Sequence, residues 1–263
     1  MTRGGNVTNS TSNARWIAAV ALALGLLAAA GWPATPAPAP PPDPQQILEK
    51  AERFRTGGWD AFAMDVKITD EAAGPRAVTN YQVLVKGALQ TLVRFTDPSD
   101  KGKLLLMVEE GMWLYLPSAS RPIRVTPLQR LAGNASNGDV AQTDFAILYT
   151  ATVAGEEVLA GRPAWVLELT AKKKNATYHS VRYWVAKDGL LPLQAELRLT
   201  SDKPSKLARF EEYQDVGGRR LLKRQTIVDL LRNGRPRTVL EYRDYAARAL
   251  PDRLFNKNYL GEL

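Results

Sequence analysis

Residues 112–144 read MWLYLPSASRPIRVTPLQRLAGNASNGDVAQTD. The stretch opens as a short aromatic strand, Trp113-Leu114-Tyr115-Leu116, and breaks at Pro117. A basic, proline-marked connection follows (Arg121, Pro122, Arg124, Pro127, Arg130) and leads into a polar Gly/Asn/Ser loop. A connection this long inside a compact domain is usually functional or disordered, and its apolar and basic content favours function. Its position makes it the lid and mouth of whatever the flanking strands enclose.

Upstream, Asp43-Pro44 supplies an N-cap and a first-turn proline. Ile47, Leu48, Ala51 and Phe54 recur at helical spacing, which predicts an amphipathic helix over 43–56 ending near Gly57-Gly58. From Trp59 the period changes to two. Phe62, Met64, Val66 and Ile68 alternate with Ala61, Ala63, Asp65 and Lys67. Gly74-Pro75 turns the chain, Tyr81, Val83 and Val85 form the next strand, and Gly87 leads into Leu92, Val93 and Phe95. Leu104–Val108 is an unbroken apolar run, expected to be covered on both faces or packed against the lid.

Downstream, Thr143-Asp144-Phe145 starts a short helix over about 143–149. A meander follows, with hairpin signals at Lys187-Asp188-Gly189, Gly217-Gly218 and Asn233-Gly234, and Phe255–Leu260 closes the chain as a short helix. The expected fold is mainly β with few helices: about 10–11 strands in a curved, half-open antiparallel barrel with a helical lid. So little helix cannot roof so large an apolar sheet, which leads us to expect a hollow interior.

The N-terminus sets the address. Arg3 and Arg15 form a positive n-region, Trp16–Ala30 is apolar, and small residues follow. Residues 1–30 therefore read as a secretory signal, extending to 39 if Ala37-Pro38-Ala39 is the cleavage site, with an uncleaved anchor as the alternative. The Pro/Ala segment 31–42 is an extended linker, and 43–263 is one exported domain, expected in the periplasm as a monomer. The chain carries +8, of which +6 lies beyond the leader. Export argues against nucleic acid as the partner of that charge.

The 263 residues contain no cysteine and one histidine, His179. This removes disulfides and thiolate chemistry and argues against a transition-metal site or a Ser-His-Asp triad. Glu109-Glu110, Glu156-Glu157 and Glu211-Glu212 are adjacent pairs whose members point to opposite faces of a strand, so they do not share a substrate. Arg219-Arg220 and Lys223-Arg224 read as a solvated edge. No cofactor, no metal and no enzymatic apparatus is expected. The aromatics Trp113, Tyr115, Phe145, Trp165, Tyr183 and Trp184, with Leu116, can line an apolar cavity or serve as ordinary core. Arg121 and Arg124 can hold an anionic head group or the lid.

MWLYLP followed by RPIRV, then GDVAQTDF and the closing Phe255-Asn256-Lys257-Asn258-Tyr259-Leu260, resembles the LolA-like outer-membrane lipoprotein-sorting proteins over residues 43–263. GDVAQTDF departs from the MG-S-DF form associated with many members. The resemblance implies a half-open barrel whose cavity carries acyl chains of a lipid or lipoprotein, with an inner- or outer-membrane transport partner. The alternative is an envelope adaptor or sensor of the same fold, which binds a transporter or signalling protein.

Overall fold

In the computed structural model, residues 43–72, 77–87, 89–142 and 144–263 are described. The leader 1–30, the linker 31–42, the Gly74-Pro75 turn and Thr143 lie outside them. No helix among the described residues is long and apolar enough to cross a membrane.

The first helix, α1 (Pro44–Thr56), is capped by the Asp43 carboxylate, which accepts from Gln45 N at 2.9 Å, and it ends on Gly57 in the left-handed region (φ 68°). Six strands follow: β1 (Ala61–Asp70), β2 (Ala77–Lys86), β3 (Gln90–Phe95), β4 (Leu104–Val108), β5 (Gly111–Tyr115) and β6 (Ile123–Val125). The lid contains a small hairpin, β7 (Arg130–Ala132) and β8 (Ala135–Ser136), then α2 (Asn137–Ala141) and α3 (Phe145–Leu148). Seven more strands complete the sheet: β9 (Tyr149–Leu159), β10 (Arg162–Ala171), β11 (Ser180–Ala186), β12 (Pro192–Arg198), β13 (Pro204–Val216), β14 (Arg219–Asp229) and β15 (Arg237–Ala247). Two 3-10 turns, Asp252–Phe255 and Lys257–Glu262, end the chain.

Thirteen strands form one curved, open antiparallel sheet in the order β6-β5-β4-β3-β2-β1-β15-β14-β13-β12-β11-β10-β9. The strand count exceeds the expected 10–11, because short strands flank the lid and the irregular Gly/Asn/Ser loop is itself a hairpin and a helix. Bulges in β1, β10 and β13 interrupt the register and add twist. The sheet curls until its remote corners meet, and Asn175 Nδ2 beyond β10 donates to Glu109 O beyond β4 at 3.1 Å.

The two open edges, β6 and β9, are the strands that the lid connects. The lid therefore crosses from one edge of the sheet to the other over its inner face. Leu105 and Met107 of β4 join the inner core with α1, while Leu104 and Leu106 join a second core under the C-terminal turns, with Leu250, Leu254, Phe255 and Leu260. Leu104–Val108 is thus covered on both faces, as its unbroken apolar run predicts.

Two expectations are corrected. Arg219, Arg220, Lys223 and Arg224 do not guard an edge: β14 is central, between β13 and β15. Arg219 instead donates to Gly57 O and lies 5.2 Å from the Trp59 ring, which holds the end of α1. The interior is also not hollow in this state. α1 and the lid fill it, and the cavity left between Arg55, Phe145, Phe210 and Tyr178 is about 20 Å³.

Candidate functional site

The centre of the inner face is a buried charge cluster. Glu52 falls four residues after Leu48 and Arg55 seven after it, so both lie on the apolar stripe of α1 and are buried with Ile47, Leu48 and Ala51. The Glu52 carboxylate accepts from Arg55 Nη1, Tyr183 OH and Phe145 N, each at 2.8 Å. The Arg55 guanidinium stacks 4.5 Å from the Phe145 ring and 5.7 Å from that of Phe210. Burial is the strongest single influence and works against the charged guanidinium, but the Glu52 carboxylate together with Tyr183, Tyr242 and Asp144 outweighs it and raises the Arg55 pKa. Phe145 and Tyr183, expected as cavity wall, therefore anchor this cluster, with their rings edge-to-face at 5.6 Å.

Around this centre, GDVAQTDF fastens the lid. Ser136 and Asp139 form a capping box on α2. The buried Asp139 carboxylate also accepts from Tyr178 OH at 2.7 Å and from Lys206 Nζ of β13 at 2.6 Å. Gln142 Oε1 accepts from Thr177 N and Thr177 Oγ1, and Gln142 Nε2 donates to Asn175 O at 2.6 Å. Asn134 N and Nδ2 both donate to Thr238 Oγ1 of β15, at 2.8 and 3.0 Å. Gly138 is required by close approach, since a Cβ there would lie 1.7 Å from Thr177 Oγ1. Gly138→Ala is expected to undock α2 and to destabilise the fold by about 1–3 kcal/mol, the usual cost of overpacking; the urea midpoint and protease cleavage within 126–148 will show it.

Asp144 caps α3, accepting from Ala146 N at 2.8 Å. Burial and the nearby Glu52 carboxylate push its carboxyl up to about 7. The folded protein thus binds this proton more tightly than the unfolded chain does. The resulting stabilisation is complete below the unfolded carboxylate pKa of about 3.9 and is lost as pH rises through about 7. Asp144→Asn, which mimics the protonated form, is expected to match the wild type near pH 4 and exceed its stability above pH 7. Denaturant midpoints against pH provide the comparison.

Beside the filled centre, a groove of about 410 Å³ runs between the β3–β6 arm and the lid. Its apolar lining is Phe95, Leu114, Leu116, Val125 and Leu131, with Lys103 and Arg130 also at its walls. Of the sequence-derived wall residues, Leu116 lies here. Trp165 is half-buried against the inner core, with Lys187 Nζ 4.2 Å from its ring. Trp184 sits on the other face, where its Nε1 donates to Glu157 at 2.8 Å.

Trp113 and Tyr115 also point away from the groove and pack with the C-terminal turns; Lys257 Nζ is 4.5 Å from the Trp113 ring. Arg124 is paired directly with Trp113 across β5–β6 and shares that outer face. Arg121 lines an outer cleft with Trp113 and Tyr115. The structure thus separates Trp113, Tyr115, Arg121 and Arg124 from Leu116.

A crystal structure of a LolA superfamily protein from Nitrosomonas europaea superposes with a TM-score of 0.76 at 33% identity, covering 82% of this chain and 99% of the other. The chain belongs to the LolA superfamily. A family model described as an uncharacterized protein matches residues 87–262. Two more distant structures share the fold. An outer-membrane lipoprotein-sorting protein domain from Vibrio parahaemolyticus has a TM-score of 0.69 at 20% identity, covering 82% of this chain and 97% of the other. A DUF1329 family protein from Desulfovibrio piger also has a TM-score of 0.69, at 22% identity, with 83% and 99% covered. No curated protein matches. Within this superfamily member, the open sheet, α1 and the edge-to-edge lid are the parts on which function must be built.

Proposed function

We propose that this LolA superfamily protein is a non-enzymatic periplasmic carrier that takes the acyl chain of a lipid or lipoprotein into the groove beneath its lid. The observation that carries this reading is the five-residue apolar lining, with Phe95, Leu114, Leu116 and Val125 from the sheet arm and Leu131 from the lid, the segment that ties one sheet edge to the other. Its volume of about 410 Å³ falls in the range of about 300–1,000 Å³ of ligand sites. Burial of each methylene contributes about 0.8 kcal/mol, so a chain that reaches inward binds increasingly well. Deeper entry requires α2 and α3 to give way, because they occupy the space above Arg55 and Phe210. Release to a membrane partner would follow from the same movement.

Leu116→Arg is expected to weaken binding of a fluorescent fatty acid by more than about tenfold, through loss of apolar lining and burial of a charge. Trp113→Ala is expected to leave it unchanged, since that ring is on the outer face. Titration of both variants tests the groove. The reverse pattern would move the ligand to the outer cleft beside Arg121.

A further inference from the structure

A separate cleft of about 500 Å³ lies at the rim of the lid. Lys172, Lys173, Lys174, His179, Leu199 and Leu128 are among its walls, and no carboxylate lines it. The three lysines are exposed, and no ion pair among the described residues engages them. Lys172 Nζ donates to Ala146 O at 2.9 Å, which ties the cleft to α3 and leaves Lys173 and Lys174 facing solvent. Leu128 stands beside them with 51% of its surface exposed. Its position is held, because Pro127 O accepts from Gly138 N and Gln129 O from Asn137 N.

We propose that this cleft docks the protein on an anionic phospholipid surface, with Lys173 and Lys174 at the headgroup phosphates and Leu128 in the interfacial layer. A basic patch and an apolar anchor are individually weak membrane signals, and their contributions add. A fixed, exposed leucine among lysines with free ammonium groups suits a fluid headgroup layer better than an ordered acidic surface. The docking reading stands independently of acyl-chain uptake, which involves the residues of the groove. Its geometric consequence is that the lid rim, and not the outer face, meets the bilayer.

The absence of native cysteine allows an environment-sensitive fluorophore to be placed at one position of the full chain. Leu128→Cys and Val158→Cys are suitable, the latter on β9 and 72% exposed. With phosphatidylglycerol vesicles the label at 128 is expected to shift to shorter wavelength and the label at 158 to stay unchanged. Phosphatidylcholine vesicles or high salt should abolish the shift. Adding Lys173→Gln and Lys174→Gln to the Leu128→Cys chain is expected to weaken vesicle binding, read at that label, about 25-fold, at about fivefold per lysine. Equal shifts at 128 and 158, which the apolar N-terminal segment alone could produce, would overturn the proposal. So would an equal response to neutral vesicles, or a response to polyglutamate without one to vesicles. Fatty-acid titration of the double glutamine variant should match the wild type, which separates this cleft from the groove.

Discussion

Glu52→Ala is expected to destabilise the fold by about 3–5 kcal/mol, the cost of leaving a buried charge without its partner. For a domain of this size that corresponds to a fall in Tm of roughly 6–20 °C. The effect is large because one carboxylate serves three donors. Without it, Arg55 remains between the rings of Phe145 and Phe210 with no hydrogen-bonded counter-charge, and Tyr183 OH and Phe145 N lose their acceptor. The paired substitution Glu52→Leu with Arg55→Met removes both charges and should recover most of the loss. It should not recover all of it, since an unmet buried donor costs about 1–3 kcal/mol. Thermal and urea denaturation of the three proteins will show whether the single variant is the least stable. A loss below about 1 kcal/mol for Glu52→Ala would mean that this cluster does not hold α1 to the lid.

The second large effect concerns lid movement. Asn134 and Thr238 touch through their side chains, at 3.0 Å, across the junction between the β7–β8 turn and β15. Cysteines at these two positions, in a chain with no others, should close a disulfide that pins the lid. The oxidised protein is expected to lose affinity for a long-chain fatty acid by at least about tenfold, because the open state is no longer populated. Reduction should restore it. The dependence of affinity on chain length should also flatten in the oxidised form, since added methylenes find no further depth. Equal binding by both forms would show that the groove admits its ligand with the lid closed.

The sequence and the structure agree where the information is local. The helix at 43–56 follows from Asp43-Pro44 and a 3.6-residue period, and the hairpins at Lys187-Asp188-Gly189, Gly217-Gly218 and Asn233-Gly234 follow from turn chemistry. The lid is recognisable from 112–144 because it interrupts the two-residue period. The orientation of β5 is not legible in the same way. Its two faces, Trp113/Tyr115 and Met112/Leu114, are both apolar, so alternation does not say which looks inward. The C-terminal turns decide it by covering Trp113 and Tyr115.

Glu52 and Arg55 left a signal that was available: charged residues at helical spacing on the same stripe as Leu48 and Ala51. The partners that fasten the lid, namely Thr177, Tyr178, Lys206 and Thr238, are brought in by distant parts of the chain, and no local pattern announces them. The expectation of an empty interior fails for a related reason. Helix length and sheet size do not register the volume of the inward aromatics Phe145, Tyr149, Tyr183 and Phe210, which occupy much of that space.

The most direct test is to load the purified protein with a photoreactive fatty acid, irradiate it, and locate the labelled residues by peptide mass spectrometry. Labelling is predicted at Leu114, Leu116, Val125 and Leu131, the wall of the groove under the lid. Labelling confined to Trp113, Tyr115 and Lys257 on the outer face, or none above an unloaded control, would contradict an acyl-chain site beneath the lid.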